Sequence, residues 1–417
     1  MLFCAMAESL FVPITPQIQV TLNCNFRCSY CFQDHCSSRI IDVGTAEIIL
    51  EKCAEYNRSR IRGYGRGIVE VFWHGGEPLL AGIDFFREML RLQSKFPEVV
   101  FKNHLQTNGS LLTDEFARFL VTNAFQLGFS LDGPKDLNDA HRRAANTRKS
   151  AFDAAMRGIR NYLRYAPEGA RVPIISVITR DSIDRAKDFH TFFKGLGAEV
   201  QLDMYDLRCD DLSPSNLHAL FRLAPDENQV RDFLIRLFDL WFYDYDRKVD
   251  FKELRDDLDL VLRRESLPRD PFHKKRCSLG RTIFDPQGTV FACDQYITDS
   301  STAIGHIRED SIATIMRRKA TLWDEIKRVI RESPDKMACS KCEWGSSCMG
   351  GCITCMKYNS MLLNARAQGL PDDGWREAPA APPLRNLAGE TYYCQALRAL
   401  RSHIRNAVQR ELERQHG

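Results

Sequence analysis

The 417-residue chain is 44% hydrophobic and has a formal net charge of +3, with 58 Lys and Arg against 55 Asp and Glu. That near balance excludes a dedicated polyanion binder, there is no basic stripe with interleaved aromatics, and no apolar run reaches bilayer length. The opening MLFCAMAESLFVPI lacks the basic start and long apolar core of a secretion signal, so a cytoplasmic protein with no nucleic-acid or membrane partner is expected.

From about residue 16 to 205, short apolar runs alternate with amphipathic ones. Strands are expected at 18–22, 68–73, 99–106, 125–131, 174–178 and 199–204, and helices at 45–56, 84–92, 114–122, 151–163 and 184–194. Six such strand–helix repeats predict an α/β fold, a partial (β/α)6 TIM-like barrel, with its chemistry at the C-terminal strand ends. Residues 226–264 read as strongly helical, and TIFDPQGTVFACD reads as a hairpin with an Asp-Pro-Gln-Gly turn. A cysteine-dense loop (338–356), a Pro/Ala-rich loop (377–383) and a last helix from Tyr393 follow. The expected domains are an N-terminal extension (1–15), the partial barrel (16–207), a helical bridge (208–270), a small cysteine-rich domain (271–396) and a C-terminal helix (397–417).

The 15 cysteines are not scattered. Cys24, Cys28, Cys31 and Cys36 form one knot, and eight more lie between Cys277 and Cys394. A disulfide scaffold this rich is normally short and secreted, so clustered thiolates in this chain point to metal. Cys4, Cys53 and Cys209 stand alone and read as buried free thiols.

Cys24-Asn25-Phe26-Arg27-Cys28-Ser29-Tyr30-Cys31 directly follows the first expected strand. Three thiolates at CxxxCxxC spacing can ligate three irons of a [4Fe–4S] cube and leave the fourth open to a chelating cofactor. Zinc remains an alternative at this point, with His35 or Cys36 as the fourth ligand. The second strand ends in Trp73-His74-Gly75-Gly76-Glu77-Pro78, where two glycines allow close backbone approach and the acid can accept from an ammonium. Gln106-Thr107-Asn108-Gly109 closes the third strand. Ser130-Leu131-Asp132-Gly133-Pro134 closes the fourth, with a hydroxyl and a carboxylate suited to a ribose.

CxxxCxYC after the first strand, followed by these strand-end segments in this order, resembles the signature of the radical S-adenosylmethionine (SAM) superfamily. The resemblance implies that Cys24, Cys28 and Cys31 hold a [4Fe–4S] cluster whose open iron chelates SAM. Cleavage of SAM would then give a 5′-deoxyadenosyl radical. It also implies that Tyr30 lies beside the adenine and that Gly75, Gly76, Glu77, Asn108, Ser130 and Asp132 shape the SAM pocket.

Toward the C-terminus, Cys339-x2-Cys342-x5-Cys348-x3-Cys352 together with Cys277, Cys293, Cys355 and Cys394 resembles the SPASM domain of peptide-modifying radical SAM enzymes. That resemblance implies two auxiliary clusters, one held by Cys339, Cys342, Cys348 and Cys394, the other by Cys277, Cys293 and Cys352. Residues 270–276 lack a further cysteine that fuller members place there, leaving an open iron or a ligand such as His273 or Asp270. Structural zinc is the competing reading of the set.

The stretch from GGEP to TYYC resembles anaerobic sulfatase-maturating enzymes, which oxidise a cysteine or serine to formylglycine. In them the aspartate after the second hairpin cysteine is the catalytic base, and Asp294 stands there. His74 before Gly-Gly-Glu-Pro, where those enzymes have glutamine, looks more like maturases that cross-link ribosomally made precursor peptides. Peptide maturation is the favoured expectation, sulfatase maturation the alternative, and a non-catalytic iron–sulfur or zinc protein the third reading. The expected partners are a peptide or sulfatase substrate and an electron donor such as flavodoxin or ferredoxin.

Overall fold

A computed structural model describes residues 12–31, 33, 37–58, 67–145, 149–205, 222–262, 280–294, 297, 300–332, 342–344 and 393–416. In chain order the strands are β1 (Thr15–Thr21), β2 (Gly67–Gly75), β3 (Val99–Thr107), β4 (Gln126–Ser130), β5 (Val172–Ile178), β6 (Ala198–Met204), β7 (Asp250–Phe251), β8 (Arg281–Phe284), β9 (Thr289–Phe291) and β10 (Ala303–His306). The helices are α1 (Val43–Arg58), α2 (Ile83–Gln93), α3 (Asp114–Thr122), α4 (Lys135–His141), α5 (Ala151–Leu163), α6 (Ala186–Leu196), α7 (Glu227–Phe242), α8 (Lys252–Leu262), α9 (Ile312–Glu332) and α10 (Cys394–His416). The fold is α/β with parallel strands, as the strand–helix alternation predicts. No helix among the described residues is long and apolar enough to cross a membrane.

The chain divides into two compact units. The first comprises residues 1–130, 141–170 and 277–322. Its strands β1, β2, β3 and β4 pair in parallel, and β8 lies parallel on the other side of β1, with Thr15 opposite Arg281. The expected hairpin is therefore the edge neighbour of the first strand, and β9 and β10 extend it antiparallel. Its turn closes as the Asp-Pro-Gln-Gly segment suggests: Asp285 Oδ1 accepts from the main-chain N–H groups of Gln287 and Thr289, both at 2.8 Å.

One face of this sheet is a dry core. Ile18, Val20, Val71 and Trp73 are fully buried, and the Trp73 ring meets Phe86 of α2 edge-on at 6.0 Å. In α1, Ala46, Ile49, Leu50 and Cys53 recur at helical spacing and are fully buried, as expected for the lone Cys53. Buried Asn57 of α1 pairs with Ile14 N and O and with Ile68 O, tying the starts of β1 and β2 together.

The second unit comprises residues 131–140, 171–276 and 323–417 and holds β5, β6 and β7 in parallel. The stretch expected to be helical over 226–264 is two helices. An Asp226–Gln229 capping box starts α7, and Arg247 turns the chain with φ of 53°. Apolar Phe251 then pairs with Val200 as a short strand before α8 begins. Neither the four-residue β10 nor α9 is named in the sequence reading.

Candidate active site

Residues 24–31 leave the C-terminal end of β1. Asn23 Oδ1 accepts from Cys24 N at 3.0 Å, and Cys31 N donates to Cys28 O at 3.1 Å. The loop is backed by residues 141–145 through Arg27 N to Arg143 O (2.7 Å), Ser29 N to His141 O (2.9 Å) and Ala145 N to Asn25 O (2.8 Å). The Tyr30 ring lies 6.0 Å from the His141 ring, with the Arg142 guanidinium 5.5 Å from its centre.

Cys24, Cys28 and Cys31 are all free thiols. Burial pushes the Cys24 thiol up to about 11, against hydrogen bonds to its sulfur from Phe26 N (3.3 Å) and Asn108 Nδ2 (3.8 Å). Cys31 is exposed as a residue, yet crowding around its sulfur also pushes its thiol up. The Gln33 N–H and the charges of Arg142 and Arg27 oppose that shift. Among the described residues no three His, Cys, Asp or Glu side chains converge on a single-ion site.

The two loops beside the cysteines are joined by one carboxylate. Glu77 is fully buried and accepts from Leu79 N (3.1 Å), Thr107 Oγ1 (2.7 Å) and Asn108 N (2.8 Å). Burial lifts its pKa to about 7 despite these three donors. Gly75 and Gly76 serve a backbone-to-backbone approach: a Cβ would stand 2.2 Å from Thr21 O at Gly75 and 2.1 Å from Asn23 O at Gly76. Gly76 N and Glu77 N donate to those same two carbonyls, at 2.8 and 2.9 Å. Asn108 adds a bond from Nδ2 to Asn25 Oδ1 at 2.9 Å, and Asn25 reaches Ser110 at 2.8 Å.

Ser130 accepts from Gln106 Nε2 at 2.9 Å. Asp132 belongs to the second unit, where its buried carboxylate accepts from Val177 N at 3.0 Å. Asp294 follows buried Cys293, whose thiol donates to Asp294 Oδ1 at 3.4 Å, and its charge acts on half-buried His74 at the end of β2. Burial holds His74 below the usual imidazole range.

In the second unit, Cys394 opens α10, and Arg401 and Arg405 of that helix lie 5.7 and 4.9 Å over the Trp344 ring. Arg405 also pairs with Glu343 at 2.9 Å, so the segment carrying Cys342 is clamped to the helix that begins at Cys394. Cys277, Cys339, Cys348 and Cys352 lie outside the described residues, as do His35, Cys36, Cys355, Asp270 and His273.

The Radical SAM superfamily profile matches residues 18–191, and the SPASM profile, an iron–sulfur cluster-binding domain, matches residues 277–343. The chain is a radical SAM protein with a SPASM domain. Among similar proteins, a cysteine-type anaerobic sulfatase-maturating enzyme of Clostridium novyi (strain NT) is 28% identical over 83% of this chain and 88% of its own. A serine-type anaerobic sulfatase-maturating enzyme of Klebsiella aerogenes is 27% identical over 79% of this chain and 76% of its own. The solved structure of native anSMEcpe with bound AdoMet superposes with a TM-score of 0.70 at 21% identity, covering 95% of this chain and all (100%) of that one. This last likeness is one of fold, and it agrees with a partial barrel.

Radical SAM and SPASM domains imply [4Fe–4S] clusters and SAM, and the residues of the first knot fit such a group. Its sulfurs receive N–H donors and cationic neighbours that favour thiolates, the form that binds iron. Raised thiol pKa values mean that iron binding expels protons.

The sequence reading did not single out Ser110 and His141, which bind this loop from distant segments, or Asn25 and Gln33 within and just beyond it. Each is an ordinary polar residue without a local motif, so only the tertiary pairing reveals it.

Proposed function

We propose that this radical SAM enzyme oxidises a cysteine or serine side chain within a peptide segment to an aldehyde, the sulfatase-maturating type of reaction. The observation that carries this reading is Asp294, directly after Cys293 and electrostatically coupled to His74 at the end of β2. When bound, SAM and its cluster supply hydrogen-atom abstraction. In this reading Cys24, Cys28 and Cys31 hold the SAM cluster, and Tyr30, Gly75, Gly76 and Ser130 shape the pocket. Glu77 and Asn108 keep its loops in place. Asp294 would take the proton released as the substrate side chain is oxidised, the second electron would pass to the auxiliary clusters, and for a cysteine water would replace the sulfur, released as hydrogen sulfide. Cys277, Cys293, Cys339, Cys342, Cys348, Cys352 and Cys394 are assigned to auxiliary clusters, with Cys342 and Cys394 sharing one. The enzyme is placed in the cytoplasm with a flavodoxin or ferredoxin as electron donor.

The test offers reconstituted enzyme, SAM and reductant a peptide with a Cys-x-Pro-x-Arg segment, and follows 5′-deoxyadenosine and peptide mass. A thiol-to-aldehyde mass change is expected, and Asp294→Asn should lower the aldehyde formed per 5′-deoxyadenosine released. An unchanged peptide would reject this reading. A second reading, cross-linking within a precursor peptide, is favoured by His74 in place of glutamine; 5′-deoxyadenosine release with the sulfatase-type peptide unchanged would turn the search to such a precursor.

A further inference from the structure

Three buried glutamines of the first unit are incompletely paired. Gln17, Gln19 and Gln33 are 1%, 0% and 6% exposed, and Gln17 Nε2, Gln19 Nε2 and Gln33 Oε1 lack a hydrogen-bond partner among the described residues. His74 Nδ1 and His104 Nε2 are buried and unpartnered in the same way. Strand register puts these groups together: Gln17 lies beside Phe72, Phe72 beside His104, and Gln19 beside His74. Cross-strand neighbours share a face, and the intervening residues Ile18, Val20, Val71 and Trp73 fill the apolar core on the other one.

This inner face abuts the cysteine loop. Gln33 Nε2 donates to Gln19 Oε1 at 3.4 Å, while the Gln33 main-chain N–H bonds the Cys31 sulfur. Phe72 and His104 stack at 4.3 Å with planes 5° apart, and the Arg281 guanidinium lies 4.3 Å from the Phe72 ring centre.

A buried donor or acceptor without a partner destabilises a protein, so several on one surface mark a place where the partner comes from outside. The five atoms identify the chemistry. None belongs to Lys, Arg, Asp or Glu, so what these five atoms leave unmet is hydrogen bonding rather than charge, although the Arg281 guanidinium lies against Phe72 on the same face. A carboxamide has both a donor and an acceptor end, the complement of a peptide main chain with its own N–H and C=O groups.

We propose that this inner face binds the main chain of the substrate peptide, with Gln17, Gln19 and Gln33 pairing its amide groups beside the cysteine loop. The proposal rests on the reading above that the substrate is a peptide.

The test is the Gln17→Met/Gln19→Met double variant, which exchanges two carboxamides for apolar side chains of similar length. Visible absorbance of the reconstituted clusters reports that it is assembled; where it is not, Gln17→Met alone carries the comparison. Without peptide, the melting temperature of the Gln17→Met single variant should rise by about 1–3 °C, because an unpaired amide has left a buried face; Gln19→Met also takes the acceptor from Gln33 Nε2, so the double variant is read by its Kd. Its Kd for the Cys-x-Pro-x-Arg peptide should weaken about tenfold or more relative to the wild type. A fall in melting temperature of Gln17→Met would show its amide to be structural and overturn the proposal. An unchanged Kd, or a wild type without affinity for the peptide, would overturn it too. Failure of the sulfatase-type reading shows separately, as bound peptide of unchanged mass, and the melting comparison needs no substrate.

Discussion

The carboxylate of Glu77, in the loop after β2, accepts a 2.8 Å hydrogen bond from the main-chain N–H of Asn108, in the loop after β3. The same Asn108 directs its side chain at the Cys24 sulfur, so one buried acid links two strand-end loops to the first cysteine of the CxxxCxxC loop. Glu77→Ala would orphan three donors on largely buried residues: Leu79 N, Thr107 Oγ1 and Asn108 N. At about 1–3 kcal/mol for each donor left unpaired, a loss of roughly 3–5 kcal/mol is expected after partial rehydration. Denaturant unfolding under anaerobic conditions measures it, and a loss below about 1 kcal/mol would dismiss the linkage.

Gly76 makes a sharper prediction about the same junction. A methyl group there would stand 2.1 Å from Asn23 O and 2.4 Å from its carbonyl carbon, in the residue preceding Cys24. Backbone cannot swing aside as a flexible side chain can, so Gly76→Ala must displace the start of the cysteine loop. SAM cleavage should fall on the order of 10²-fold, the effect of an ångström-scale misplacement at a reacting centre. Gly195 in α6 is the control, since nothing lies within 4 Å of its added Cβ. Gly195→Ala should instead stabilise by about 0.5–1 kcal/mol through helix propensity. Equal cleavage rates in the two variants would refute the role of close approach.

Much of this architecture was legible in the residues. The strand–helix pattern located β1 to β6 because buried parallel strands are apolar and their helices amphipathic, and the Asp285 turn marked the hairpin through its own chemistry. Residues 243–251 were misjudged because Val249 and Phe251 look as apolar as a helix face. Only pairing with β6 makes them extended. At the site, motif spacing found Glu77 and the glycines as groups facing a ligand. Their observed bonds are to the protein's own groups, since a glycine permits either approach and sequence does not say which partner arrives. The glutamines of β1 were invisible for a similar reason. Alternating Gln17, Ile18, Gln19, Val20 reads as an ordinary two-faced strand until the polar side proves buried.

Glu253 gives a pH-dependent prediction in the second unit. Desolvation lifts its pKa to about 7 from the ordinary 4.5, although its carboxylate accepts from Leu202 N at 2.8 Å. A carboxyl whose folded pKa lies above its unfolded value binds more protons when folded, so stability falls as pH rises from about 4.5 to 7 and stays reduced above that. Some solvent contact at this residue limits the effect to no more than about 3 kcal/mol. Glu253→Gln keeps an acceptor for Leu202 and removes the titration. It should be more stable than the wild type at pH 8, with the advantage gone near pH 4.5. A pH-independent difference between the two unfolding curves would count against a raised carboxyl there.

The Arg401–Asp257 pair joins α10 to α8 with a 3.0 Å bond between side chains only 2% and 6% exposed. Arg401→Met would leave the Asp257 carboxylate buried without its cation, at a cost of about 3–5 kcal/mol. Arg401→Met with Asp257→Leu removes both charges and should recover much of that loss, because the desolvation penalty goes with them. The double-mutant cycle therefore separates an orphaned charge from lost packing, and coupling below about 0.5 kcal/mol would favour packing. A local consequence follows as well. Arg401 also lies over Trp344, two residues beyond Cys342, on the helix that starts at Cys394. If those cysteines share an auxiliary cluster, Arg401→Met should lower the iron retained per chain while leaving the first knot loaded. Full iron occupancy in a folded Arg401→Met protein would show that this clamp serves the fold alone.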